Sequence, residues 1–349
     1  MTRTELAALI RTGRPVTDIL VQDIDLSAIN LSGAIFERVH FRNVNLHGAD
    51  LRHTVWRDSS ICTSDMQDVN CSGLRAEQLN LSSSNLTRIK AVKAVLRNCD
   101  LTDVILDAAD CSRLDCRYSV LLRTSLRQTE LGRSDLRNVR FEKSVLVSTN
   151  LERADLSGID LSGQSFEQVN CCKAFFSKAC LKGTKFANCR LSCCFFDEAD
   201  LEGAVLTESD LRGAQCSKAN LRHADLRAVQ AETARFEEAD CFQTCFQDAK
   251  LDKAFFTQAC LDKAILFRAS LTKSMLTHAV CRTASFVAAQ LDFADLSHAD
   301  LTGANLSQAS LHFCNMHRVK AMWVNWKGTQ LETVLPTNKK LHAAEAWQC

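Results

Sequence analysis

Eighteen cysteines and nine histidines are the residues of this 349-residue chain best equipped for chemistry. As thiolates, cysteines bind zinc or attack electrophiles, and neutral imidazoles bind metals. Cys171, Cys172, Cys180, Cys189, Cys193 and Cys194 crowd into one stretch, and His312 and His317 flank Cys314. No C-x-x-C has zinc spacing. There is no glycine-rich phosphate loop, no G-x-S-x-G and no H-E-x-x-H. The many aspartates recur at one position of a repeat and do not form acid/base pairs. The expectation is a chain with no catalytic residues, no metal and no cofactor.

What must position these residues is a five-residue period. From Leu26, steps of five reach Leu31, Phe36, Phe41, Leu46, Leu51 and Trp56, and later Leu296, Leu301, Leu306, Leu311 and Leu331. Of the 62 step positions, 51 are Leu, Phe, Ile, Met or Trp, and the rest are Cys or Ala, so the register never slips. A second, mostly small column lies two residues earlier: Ala34, Ala49, Ser84, Ala94, Ala154, Ala249, Ala254, Ala259. Positions two apart on extended backbone face the same way, so each pentad points one small and one large residue inward. Asp or Asn often precedes the large residue (Asp50, Asn80, Asp155, Asp300), where it favours turns and local backbone bonds. Both prolines, Pro15 and Pro336, fall outside the period, as a hydrogen-bonded ladder requires.

Runs such as Gly48-Ala49-Asp50-Leu51 and Ala299-Asp300-Leu301-Thr302-Gly303-Ala304-Asn305-Leu306 closely resemble the pentapeptide-repeat family, over roughly nine tenths of the chain. The resemblance implies an all-β fold: a right-handed, four-sided parallel β-helix with one pentad per face and four per coil. Coils about 4.8 Å apart would make a rod roughly 75 Å long. Residues 20 apart would then stack, and Cys172 and Cys193 would be surface neighbours.

The expected organisation is a helical cap over 1–20, the β-helix over 21–335 and a tail over 336–349. The cap helix is predicted to start at Thr4 and stop at Gly13 and Pro15. Met322, Trp323 and Trp326 are expected to cover the last coil, and a short helix is expected around Leu341–Trp347. Seven cysteines occupy the large column and four the small one, which reads as core packing in a reduced, cytoplasmic protein. The eight histidines within the repeat (His40, His47, His53, His223, His278, His298, His312, His317) all fall at outward positions. No apolar run reaches 18 residues, and no membrane association is expected.

The outer walls carry the remaining information. Phe175, Phe195, Phe255 and Met275 stand just before a large residue, where most pentads carry Asp or Asn. An exposed apolar column of this kind marks an interaction site or stabilises the wall by stacking. Ile35, Val55 and Val95 continue the column towards the N-terminus. Arg97, Arg117 and Arg137 form another column, which could meet an acidic surface. Between residues 197 and 262 there are fourteen acids against seven bases, including Asp197, Glu198, Glu237 and Glu238. The net charge is only +1. That argues against nucleic acid.

A non-catalytic, protein-binding solenoid is the reading these features support. The resemblance points to members linked to bacterial toxin and secretion systems. The functional expectation is an immunity protein that neutralises a cognate toxin or effector, such as a nuclease, in type VI-like interbacterial secretion. An effector adaptor is one alternative, and a DNA-mimicking, gyrase-protecting protein is another. The expected partner is a protein, with no small-molecule substrate. A homodimer is compatible with the pattern.

Overall fold

The computed structural model describes residues 1–345. It divides into two compact units, Met1–Phe175 and Phe176–Cys349. Both are parallel β-solenoids whose backbone pairs at a spacing of twenty residues, as in Asp25↔Asn45 and Asn45↔Asp65 of the first unit. The same step recurs as Gln215↔Arg235 and Arg235↔Phe255 in the second.

Each pentad builds the wall the same way. The amide of the large residue donates to the next coil, as Leu31 N–H does to Asp50 at 2.8 Å. The amide two residues on does likewise, as Gly33 N–H does to Arg52 at 2.8 Å. The large side chains point inward: Phe36, Trp56, Phe196 and Phe256 are fully buried. So do the small ones, such as Ala154 and Ala254.

The turn does not sit on the Asp or Asn. It sits one and two residues past the large residue, and the second of these takes a left-handed backbone in nearly every pentad (Arg38 φ 53°, Arg113 φ 60°, Gly33 φ 71°). The Asp or Asn has the local bonding role expected of it. Its side-chain oxygen accepts the backbone N–H two residues on, as Asp25 does from Ser27 at 2.9 Å and Asn305 from Ser307 at 3.0 Å.

Among the described residues the first unit contains every strand. Strands β1 (Val16–Thr17), β3 (Ile35–Glu37), β5 (Val55–Arg57), β7 (Arg75–Glu77) and β8 (Val95–Arg97) form one parallel sheet. A second sheet comprises β2 (Leu20–Gln22), β4 (His40–Arg42) and β6 (Ser60–Cys62). Two pairs follow: β9 (Val120–Leu122) with β10 (Arg140–Glu142), and β11 (Leu146–Val147) with β12 (Phe166–Glu167). Helix α1 spans Arg3–Arg11 and buries Leu6. It starts at Arg3, one residue before the expected Thr4, because Thr2 caps it. Thr2 accepts the Glu5 amide while Glu5 reaches back to Thr2 N–H at 2.7 Å, a reciprocal box.

The second unit is built of short turns and isolated bridges, and ends in helix α2, Lys339–Glu345. That helix falls where one was expected, although Trp347 lies outside the described residues. Met322 and Trp323 do not cover the last coil: they occupy the two turn positions and face outward, Trp323 with 83 % of its surface exposed. The inward column also fails at this end. Leu331 is 42 % exposed, since no further coil among the described residues packs on it.

In one stretch the core is underfilled. In the first unit, Cys71, Ala91 and Cys111 stand where most pentads put Leu or Phe. Together with Ile61, Leu81 and Leu101 they line an apolar internal cavity of about 30 Å³.

Candidate interaction surfaces

Of the apolar residues singled out, Phe175 closes a column of the first unit, paired to Asp155. In the second unit the column reads Phe195, Gln215, Arg235, Phe255, Met275, Asp295. It is therefore interrupted: Gln215 and Arg235 separate Phe195 from Phe255. The Arg235 guanidinium lies 5.2 Å from the Phe255 ring centre. Phe175 and Met275 are each 39 % exposed. A more exposed aromatic pair went unnoticed in the sequence. Phe293 and Phe313 stack with centroids 5.3 Å apart, and Phe293 is 53 % exposed. Both occupy left-handed turn positions, where a large side chain has no core to fill.

The acidic residues lie beside this column but are largely neutralised. Glu198 faces Lys178 at 3.7 Å, Glu238 faces Lys218 at 3.6 Å, and Glu237 pairs with Arg235 at 2.7 Å. Asp197 differs: burial pushes its carboxyl above the usual range, with Glu237 adding to the effect.

In the first unit Arg97, Arg117 and Arg137 are not a bare basic stripe. They interleave with aspartates. Arg97 meets Asp115 at 2.6 Å, Arg117 meets Asp115 at 2.9 Å and Asp135 at 3.2 Å, and Arg137 meets Asp135 at 2.7 Å and Asp155 at 3.3 Å. Burial opposes ionisation of Asp115, but bonds from Arg117 and Arg97 overcome it and hold the carboxyl well below the ordinary carboxylate range. The less compensated cations stand on the other edge of the same wall. Lys93, Arg113, Arg133, Arg153 and Lys173 occupy successive left-handed turn positions, all exposed. Among the described residues the one ion pair in this row is a long contact, Arg153 to Glu152 at 3.8 Å.

The histidines also hold a surprise. His317 is outward by its place in the pentad, yet helix α2 buries it. Its Nε2 lies 3.3 Å from Glu345 Oε2, and His298 Nε2 lies 3.4 Å from Glu345 Oε1. The three ligand-type atoms lie within 4.8 Å of one another, so the expectation of no metal site has to be tested here. Asn338 N–H donates to His317 Nδ1 at 3.1 Å. That bond needs an unprotonated Nδ1, so neutral His317 carries its proton on Nε2 and donates to Glu345. A metal would need that lone pair. The cluster therefore works as a clasp. Arg318 completes it at 2.6 Å from Glu345 and, with the histidines, holds that carboxyl down to about 2. The suggested grouping around Cys314 does not form: His312 Nδ1 meets Thr333 at 3.0 Å, and Cys314 is buried, its thiol pushed up to about 12 by desolvation.

Cys71, Cys99, Cys116 and Cys193 are free thiols. Burial raises the thiols of Cys71, Cys99 and Cys116 to about 12, which makes them inert packing groups. Cys193 is exposed. Among the described residues no helix is long and apolar enough to cross a membrane.

Comparison with known proteins agrees with this architecture. The family model described as pentapeptide repeats matches in eight copies, at residues 22–55, 64–103, 80–115, 124–163, 154–192, 189–227, 264–303 and 289–325. No curated protein matches the chain. Among solved structures, full-length QnrB1, a plasmid-mediated fluoroquinolone resistance protein, is 19 % identical, covering 56 % of this chain and 97 % of its own, with a TM-score of 0.26. HetL, involved in heterocyst differentiation regulation in the cyanobacterium Nostoc, is 23 % identical over 90 % of this chain and 97 % of its own, with a TM-score of 0.17. A pentapeptide-repeat protein of the Arabidopsis thaliana thylakoid lumen is 24 % identical over 34 % of this chain and 74 % of its own, with a TM-score of 0.19. Family matches that recur from residue 22 to residue 325, on the same twenty-residue coil that the backbone pairing follows, make this chain a member of the pentapeptide-repeat family.

Proposed function

We propose that this chain is a non-catalytic binding protein that grips a protein partner on its outer walls. Its most specific role is neutralisation of a cognate toxin or effector of an interbacterial secretion system, in the cytoplasm of the cell that makes both. The observation that carries the reading is apolar exposure at positions where the fold asks for none. Phe175, Met275, Ile265, Phe293 and Phe313 all face solvent, although the wall needs only its Asp, Asn, Ser and Lys there. Exposed apolar patches of this kind mark contact sites on soluble proteins. A solenoid wall also offers a long, rigid contact surface. An effector adaptor would use the same surface.

The gyrase-protecting, DNA-mimicking alternative draws on the excess of acids between residues 197 and 262. Pairing of Glu198, Glu237 and Glu238 with Lys178, Arg235 and Lys218 weighs against it. A DNA mimic needs its negative charge facing outward and uncompensated.

The test is capture by the tagged chain from the bacterium that encodes it, followed by co-expression of the retained protein. Rescue of growth from a toxic partner is the expected result. Phe195→Asp with Phe255→Asp should weaken capture without unfolding the chain. Protection of gyrase supercoiling by the purified chain, with no toxic partner retained, would overturn the reading.

A further inference from the structure

We infer that the row Lys93, Arg113, Arg133, Arg153 and Lys173 is a docking rail for an acidic α-helix of a partner protein. This rests on the reading that the chain acts by binding protein, and it names a surface and a chemistry for that binding.

Three observations support it. The first is charge. The five side chains are exposed, and the single ion pair among them is the 3.8 Å contact of Arg153 with Glu152. The aspartates of the same wall, Asp115, Asp135 and Asp155, are engaged from the opposite edge by Arg97, Arg117 and Arg137. Glu130 is occupied by the Asn150 amide at 2.7 Å. A carboxylate arriving at the rail therefore meets cations that have little else to bind.

The second is spacing. Consecutive members are twenty residues apart, one coil, or about 4.8 Å. An α-helix laid along the row presents one carboxylate per turn, every ~5.4 Å. Four steps accumulate a mismatch of only about 2.4 Å, which the long Lys and Arg side chains can absorb. An acidic stripe at i, i+4, i+7, i+11 and i+14 thus meets one cation per coil. The arginine forks can take carboxylates in pairs of parallel bonds.

The third is shape. Gly132 directly precedes Arg133 in the turn, and beside Arg113 and Arg133 the surface sinks into an open hollow lined also by Ser112, Glu130, Asn150 and Glu152. A rounded helix can settle against such a hollow. Single-stranded nucleic acid would want aromatic stacking platforms interleaved with the cations, and the row contains none.

The experiment uses the full chain and a fluorescein-labelled 20-residue helical peptide with glutamates in that stripe. A control peptide has the same composition with the glutamates spread around the helix. Fluorescence anisotropy should show the striped peptide binding at least fivefold tighter than the control. Arg113→Glu with Arg133→Glu should weaken binding more than tenfold, with an unchanged melting curve. Arg97→Gln, in the compensated ladder, should change it less than twofold. Equal affinity for the two peptides, an unaffected double variant, no binding at all, or tighter binding of a 20-nucleotide single strand would each overturn the rail. None of these outcomes bears on whether the chain captures a protein elsewhere on its surface, so failure here is separable from failure of the proposed function.

Discussion

The two units share one period and differ in how they turn their corners. In the second unit the small residue donates its amide to the large residue three positions back, closing a tight turn: Ala254 N–H to Leu251 at 3.0 Å, Ala264 N–H to Leu261 at 3.0 Å. In the first unit several pentads stay extended as strands, and that bond gives way to another. The Val39 amide instead meets the hydroxyl of Ser59, and the Val44 amide that of Ser64, each at 3.1 Å. Cys99 and Thr124 use Ser119 and Ser144 in the same way. No extended pentad is followed by alanine. Among the described residues its small-column residue is Ile19, Ile24, Val39, Val44, Ser59, Ser64, Leu79, Cys99, Thr124, Ser144, Thr149 or Val169. A buried amide left without a partner is costly, and a serine hydroxyl one coil on supplies one where alanine could not.

Packing differs in one respect. Rings stack in both units where the preceding small-column residues are Ala, Cys or Thr: Phe36 on Trp56 at 4.1 Å in the first, and Phe176 on Phe196 at 5.1 Å and Phe236 on Phe256 at 4.9 Å in the second. In the first unit, larger small-column residues sit beside undersized large-column ones such as Cys71 and Ala91, and the fit leaves the cavity.

The strongest way to break this comparison is to charge the stacked core. Phe256→Asp puts an unpaired carboxylate against Phe236 and should cost more than about 4 kcal/mol. Hydrogen exchange should show protection lost in the second unit and kept in the first. Undiminished protection around Phe236 would end the claim of a filled core there.

Opposite responses to the same added bulk would sharpen the contrast. Ala254→Val, in a close-packed site, should destabilise by roughly 1–3 kcal/mol. Ala91→Val, facing the cavity, should be stabilising by about 0.5–1 kcal/mol. Urea titration of each variant measures this, and the same sign at both positions would refute it.

The smallest effect concerns pH. Asp115 has a depressed folded-state pKa, so its contribution is fully present above the ordinary carboxyl value near 3.8 and is lost as pH falls through the lower folded value. Arg117→Gln should lower stability at neutral pH by no more than about 1 kcal/mol, because the ladder is partly solvated. The gap between the variant and the parent should close on acidification below pH 4. A gap that widens there would show that the ladder does not stabilise the first unit.

Much of this was legible in the residues. The Leu/Phe column, the alanine column and the exclusion of Pro15 and Pro336 dictate a coil with an inward lining. Inward pointing needs only local backbone geometry repeated without a slip. Charge was less legible. Arg97, Arg117 and Arg137 stood out as a basic column, but whether a cation is free depends on which carboxylate the next coil sets within 3 Å. The residues of the less compensated row, Lys93 to Lys173, lie on the same twenty-residue step and could have been found by it. Only the positions of Asp115, Asp135 and Asp155 showed which of the two rows is compensated.

Sequence alone determined the coil, its register and the identity of the lining, because one short-range rule is obeyed at every fifth residue. Tertiary structure decided what the rule leaves open: which pentads stay extended, where the core is underfilled, how helix α2 buries an outward His317, and which cations have no close carboxylate. Those outcomes depend on distances between residues some twenty positions or more apart, set by the stacking of one coil on the next.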